Sequence, residues 1–293
     1  MSIASPHFLN WGNIGTTIVS MSTAVLIIIG MTVVMASGGI DLSVGSNMAI
    51  SGAVTGFLFV DIGGMNIWVA ALFGVLAAGV IGLINGLILS KTNIAPMICT
   101  LGTMNLSAGI AMILTTGSPI SMKDTTAAFK AIGRGSIGPI SNLIIIAIVF
   151  IIIFAILLEK STVFRKAYYV GSNEQAAEYS SINVARTKLG IYILSGLLAG
   201  LAGIMTTSRF SVASPNAGLG VEMTAISACV IGGASMNGGT GTVIGSLLGL
   251  MLLTFINNAL VLLNVDVYWQ NMISGVILLL AVLIDYISHR KRK

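Results

Sequence analysis

About nine apolar runs follow one another along this chain, separated by short polar, Gly- or Pro-bearing breaks, and they leave it no water-soluble fold. They cover roughly residues 13–36, 43–60, 66–90, 94–116, 140–158, 189–208, 221–236, 241–263 and 268–288. A helix that crosses a membrane takes about 20 mostly apolar residues. The runs are continuous rather than alternating, which excludes a closed β-barrel, whose strands alternate lipid-facing and lumen-facing side chains. Charged residues make up 8% of the chain, against about 25% in an ordinary soluble domain, too few to cover a water-facing surface. The expected fold is all-α, a polytopic transmembrane helical bundle forming a single domain over 1–293. The run at 221–236 is short and flanked by Gly, so a short, broken or re-entrant segment is expected there.

Charge orients the bundle. The segment 159–188 holds Lys160, Arg165, Lys166, Arg186 and Lys188, and the tail holds Arg290, Lys291, Arg292 and Lys293; together these are nine of the 14 basic residues. The positive-inside rule places both in the cytoplasm. Two ends on one side require an even number of crossings between them, so the short run must cross or a neighbouring helix must break in compensation. Counting back puts the loop at Lys91 inside, and the loop 117–139 and the N-terminus outside. Lys123, Lys130 and Arg134 in that outer loop run against the rule. The net charge of +5 is assigned to the membrane boundaries, and no nucleic acid partner is expected. Cys99 and Cys229 sit in apolar runs without a CxxC or Cys/His pattern, as small buried side chains.

Three motifs stand out. In Gly38-Gly39-Ile40-Asp41-Leu42-Ser43-Val44-Gly45-Ser46, an acidic residue between two spans is costly unless it reaches water or a partner. Asp41 either belongs to a backbone break lining a transport path or gate, or caps a helix end in a tight loop; Ser43 is a candidate N-cap of the next helix. In Gly171-Ser172-Asn173-Glu174-Gln175-Ala176-Ala177, Ser172 as N-cap and Gln175 three residues on form a capping box. The short helix that follows is either a docking helix, with Ala176 and Ala177 permitting close approach, or an ordinary surface helix. The Gly-rich stretch from Ile231 to Thr242 is similar to a phosphate-binding loop but has no Lys after its glycines and lies between spans, so it reads as a turn. No nucleotide, metal or cofactor site is found, and nothing resembles a catalytic constellation.

Small residues at four-residue spacing, Gly74, Ala78, Gly82 and Gly86, and again Gly241, Gly245 and Gly249, suit close packing of helix backbones. Among isolated polar residues, Asn47, Asn85, Asn105, Asn257 and Asn258 lie inside apolar runs and Glu222 opens the short one. Each Asn serves either as an interhelical hydrogen bond or as a substrate contact; uncharged polar groups suit a sugar.

The three motifs, in this order and spacing, resemble the ribose-type family of ATP-binding cassette permeases. The matching stretches are Gly38–Ser46, Gly82–Lys91, Ala95–Leu106, Gly171–Ala177, Ala225–Gly241 and Trp269–Val282. The resemblance implies an inner-membrane subunit that imports a monosaccharide, pairs with a second permease subunit, and couples to two cytoplasmic ATPase subunits that bind ATP and Mg. It implies an external solute-binding protein as donor, and docking of the ATPases on Gly171, Ser172, Asn173, Glu174, Gln175, Ala176 and Ala177. Asp41, Ser43, Asn47, Asn85, Asn105 and Glu222 are the candidates for the path or gate. Related permeases carry autoinducer-2, other pentoses and hexoses, nucleosides or branched-chain amino acids; an ion-coupled secondary transporter is the rival class. Two departures from the family pattern stand out: a span that relatives carry before the first one here is not matched, and Thr242 occupies a position where many relatives have Arg.

Overall fold

The structure is a computed structural model and describes residues 8–290. Lys291, Arg292 and Lys293 of the basic tail lie outside the described residues. Each apolar run forms helix. In order these helices are α1 (Trp11–Ala36), α2 (Val44–Gly56), α3 (Ile67–Lys91), α4 (Pro96–Leu114), α6 (Asn142–Lys160), α9 (Val184–Phe210), α10 (Val221–Ile231), α11 (Val243–Leu262) and α12 (Val267–Arg290). Between them lie α5 (Ala127–Arg134), α7 (Thr162–Ser172), α8 (Glu174–Tyr179) and four two-residue strands, β1 (Ile120–Ser121), β2 (Ser136–Ile137), β3 (Ile140–Ser141) and β4 (Val212–Ala213). Among the described residues, six helices are long and apolar enough to cross a membrane. The second run reaches full length because α2 continues as a π-helical turn, Phe57–Asp61.

The break expected at 221–236 takes a definite form. Helix α10 has 11 residues, about 16 Å of helix and half of a hydrocarbon core about 30 Å thick. The irregular segment 214–220 supplies the rest: it starts from β4, paired antiparallel with β1 in the loop 117–139, and runs inward to Gly218, which packs on Gly45 at the start of α2.

Two ends of the bundle follow. At one, α5 caps the last turn of α9, where Gly133 N–H donates to Ser208 Oγ at 2.8 Å and Arg134 Nε to the Arg209 carbonyl at 2.7 Å; the Arg209 guanidinium reaches the Val19 carbonyl near the start of α1. At the other lie the end of α1, the 91–95 loop, α7, α8 and the turn 232–242.

Helix α3 packs more extensively on α9 than any other pair, and the small-residue stripe is the reason. A Cβ on Gly82 would overlap the Tyr192 carbonyl and one on Gly86 would press on Leu189, both of α9, while Gly74 on the same stripe admits Thr55 and the Ser51 carbonyl of α2. In lipid there is no hydrophobic drive between helices, so close backbone approach and van der Waals contact hold the pair. The second stripe works in the same way, with Gly245 against the Gly232 carbonyl and Gly249 against the Ala228 carbonyl. Asn258 forms the expected interhelical bond, exchanging 2.9 Å hydrogen bonds with Asn13 of α1. Cys99 and Cys229 are buried free thiols. Gly82→Ala is expected to destabilise the fold by about 1–3 kcal/mol, the range for overpacking, whereas Gly109→Ala, which meets nothing within 4 Å, is expected to be neutral; thermal unfolding in detergent followed by circular dichroism distinguishes them.

Candidate functional site

The first motif folds as a backbone break in the middle of the bundle. Helix α1 ends at Ala36, the chain turns at Gly38 (φ 79°) and climbs back irregularly before α2 starts at Val44. Asp41 thereby comes to lie beside Ser195 of α9, which also packs against Gly30. Gly30 is about 9 Å back along α1 from Ala36 by helical rise, so the carboxylate sits well inside the bundle, and it has no exposed surface. Its oxygens are held on both sides. Oδ1 accepts from Ser43 N–H at 2.9 Å and Ser43 Oγ at 2.6 Å; Oδ2 accepts from Ser195 Oγ at 2.8 Å.

The network spreads from Ser43. Its hydroxyl accepts from Asn47 Nδ2 and Asn85 Nδ2, each at 3.0 Å. Asn85 Oδ1 accepts from Thr103 Oγ1 at 2.6 Å, and Thr100 Oγ1 accepts from Leu42 N–H at 3.1 Å. The break is therefore tied to α3, α4 and α9 at once. Ser43 is the N-cap by position, but its side chain makes no cap bond; it is turned to Asp41. Beside this network, Tyr192 Oη and Asn47 Oδ1 are buried polar atoms with no partner among the described residues. Tyr192 lies against Gly39 and lines a cavity of about 280 Å³ bounded by Ser37, Gly38, Thr92, Asn93, Glu174 and Lys188.

Of the remaining path candidates, Glu222 is 8% exposed and stands where the two broken ends meet, its carboxylate against Gly45. No hydrogen bond links it to Asp41. Asn105 is the exception. It is exposed on α4 and donates to the Leu101 carbonyl one turn back, so within one chain it faces away from the network.

The 159–188 segment is built against the same break. Gly171, at the end of α7, touches the Ala36 carbonyl and Gly239 N so closely that a Cβ would overlap both. Gly239 N–H donates to the Ala36 carbonyl at 2.9 Å, and Tyr168 Oη donates to the Gly241 carbonyl at 2.7 Å. Burial pushes the Tyr168 phenol above its usual range, which keeps it a donor. The capping residue is Asn173, not Ser172: Asn173 Oδ1 accepts from Ala176 N–H at 2.9 Å, while Ser172 is the last residue of α7 and bonds back to the Tyr168 carbonyl. The capping box with Gln175 does not form, because an N-cap one residue later makes Ala176 the third helical residue. Glu174 pairs with Lys188 at 2.7 Å, the one salt bridge among the described residues. Ala177 turns inward, 3% exposed, onto Val170 and Val184, so Ala176 is the small side chain that remains open. It borders a groove of about 470 Å³ with Tyr169, Asn173 and Ser180.

Residues 13–282 match a family model described as the branched-chain amino acid transport system / permease component. The chain belongs to this permease family. It is 40% identical to the ribose import permease protein of Bacillus subtilis over 97% of its own length and 88% of that protein's, and 39% identical to the ribose import permease protein of Escherichia coli (strain K12) over 97% and 89%. It is 36% identical to the L-arabinose ABC transporter permease protein of Azospirillum brasilense over 100% and 85%. No solved structure matches it.

In this permease, sequence reasoning missed Ser195, Thr100 and Thr103. Each is a hydroxyl in an apolar helix, and each is buried. The i, i+3 spacing of the two threonines on α4 puts them on one face, a signal that gains meaning only once Asp41 and Asn85 are known to lie opposite. Thr242, at the departure from the family pattern, caps α11 by accepting from Gly245 N–H at 3.0 Å. Asp41→Asn is expected to keep most thermal stability, since its amide oxygen still accepts from Ser43 and its amide nitrogen can donate to Ser195 Oγ. Asp41→Ala strands three donors and is expected to lose on the order of 1–3 kcal/mol; unfolding temperatures of the two variants in one detergent measure the difference.

Proposed function

We propose that this permease is the membrane-spanning subunit of an ATP-driven importer of a monosaccharide, ribose or a closely related sugar. The observation that carries the reading is the 40% identity with a ribose import permease over 97% of the chain. The chemistry of the break agrees with it: the hydrogen-bonding groups near Asp41 are serine, threonine, asparagine and tyrosine, and a sugar offers hydroxyls and no charge. Asp41, Ser43, Asn47 and Asn85 form the gate region, with Glu222 at the second break and Asn105 directed toward a neighbouring subunit rather than the same network.

The 159–188 segment faces the cytoplasm and the N-terminal end of α1 faces outward, in keeping with the distribution of basic residues. Two ATPase subunits dock on the exposed residues from Ser172 to Ala176 and the groove beside them. Their motion reaches the gate through a short path. Helix α8 is held to α9 by Glu174–Lys188, α7 is in backbone contact with the end of α1 at Gly171, and the break that holds Asp41 begins directly beyond that contact. A second copy or a related permease completes the pathway, and an external solute-binding protein delivers the sugar. Closure of the ATPases on ATP then biases a two-state element, the break itself, which is what energetic coupling between distant sites requires.

Proteoliposomes holding the permease with its ATPase and binding protein are expected to accumulate ribose or a related pentose only with ATP; accumulation driven by an ion gradient without ATP would exclude the reading. Glu174→Arg together with Ala176→Trp is expected to leave membrane insertion intact, reduce uptake at least tenfold and remove sugar-stimulated ATP hydrolysis. Normal uptake by that variant would place the docking surface elsewhere.

A further inference from the structure

A crevice of about 560 Å³ opens between α7 and α9, over Val33 of α1, and no part of the transport reading uses it. Its two ends differ in chemistry. One carries Lys166 of α7 and Arg186 of α9; the other is walled by Ile193, Leu194 and Leu197. Both basic side chains are exposed and neither has a salt-bridge partner among the described residues. No acidic side chain among the described residues lines the crevice.

The dimensions identify what fits. From Arg186 to Leu197 is about 16 Å of helix, roughly half of a hydrocarbon core about 30 Å thick. The cationic end thus falls at the level of one headgroup layer, and the apolar wall extends down the acyl region beneath it. A soluble anion would use the lysine and arginine but not the wall. A water-soluble partner would not reach Leu197. Basic pockets at the membrane boundary recognise anionic headgroups. The guanidinium adds a planar pair of donors suited to a phosphate.

We propose that this crevice binds one anionic phospholipid, with its phosphate between Lys166 and Arg186 and an acyl chain along Ile193, Leu194 and Leu197. Bound there, the lipid bridges α7 to α9, the two helices that join the Glu174–Lys188 pair and the Gly171 contact to the Asp41 break. The proposal needs only that the chain spans a membrane and does not depend on which solute is carried.

The test is native mass spectrometry of the full chain released from nanodiscs of mixed phosphatidylglycerol and phosphatidylcholine. The wild type is expected to retain one phosphatidylglycerol preferentially. Lys166→Ala with Arg186→Ala is expected to lower that retention at least tenfold without changing phosphatidylcholine. Gly190→Trp keeps both charges and fills the crevice from a position where an added Cβ meets nothing within 4 Å; it is expected to have the same effect. Retention unchanged in either variant overturns the proposal. So does displacement of the lipid by glycerol phosphate at equal concentration, which would make the crevice a free-phosphate site. Loss of the lipid from wild-type protein whenever two copies associate would make it a subunit interface and would equally overturn it.

Discussion

A carboxylate with no exposed surface stands where the chain turns between α1 and α2, and the arrangement of the bundle follows from holding it there. A carboxylate inside a membrane protein persists only with a full set of donors. Asp41 obtains them from Ser43 in its own turn and from Ser195 across the helix interface. Ser195 can reach it because Gly30 lets α1 close on α9 and Gly82 lets α3 close on the same helix. The carboxylate, the stripes of small residues and the broken start of α2 are therefore one construction.

This construction also explains how the short helices α7 and α8 at one end of the bundle can matter to the interior. Side chains transmit motion loosely, because rotamers absorb it; backbone-to-backbone contacts do not. At the junction of α7, α1 and the turn 232–242 the contacts are between main chains: Gly171 on the Ala36 carbonyl, and Gly239 N–H bonded to it. A rigid displacement of α7 has no compliant layer to cross before it reaches the residues leading to Asp41. The Tyr168 hydrogen bond to Gly241 adds a second attachment to the same turn.

The spans were legible in the sequence because each is a continuous apolar run, and a run of that length in lipid has few alternatives to helix. The break at Asp41, the short α10 and the small-residue stripes were legible for a related reason: an acid, a pair of glycines or a four-residue spacing is conspicuous against an apolar background. What could not be read was direction. Ser172 and Asn173 are both good caps, and the choice between them is made by α7 extending one residue further than its sequence requires. Ala176 and Ala177 are adjacent and identical; only the packing of Val170 and Val184 sends the second inward. Asn85 and Asn105 both sit in apolar helices, and nothing local tells that one faces Ser43 and the other faces out. Thr100, Thr103 and Ser195 looked like ordinary small polar residues because their partners lie on other helices.

The same network bears on what drives transport. An ion-coupled carrier needs an ionisable group whose protonation or ion ligation changes as the substrate moves, so that group must exchange partners or meet water during the cycle. Asp41 is poorly placed for this. Both of its oxygens are already occupied by hydroxyl and amide donors of the chain itself, and opening it means separating α1, α2 and α9 together. Glu222 is less enclosed but stands alone, without a second acid or a cation within the hydrogen-bonded network. A buried network held by neutral donors and connected by main-chain contact to an exterior helix suits a force applied from outside the bundle, such as the closure of ATPase subunits, better than a charge binding within it.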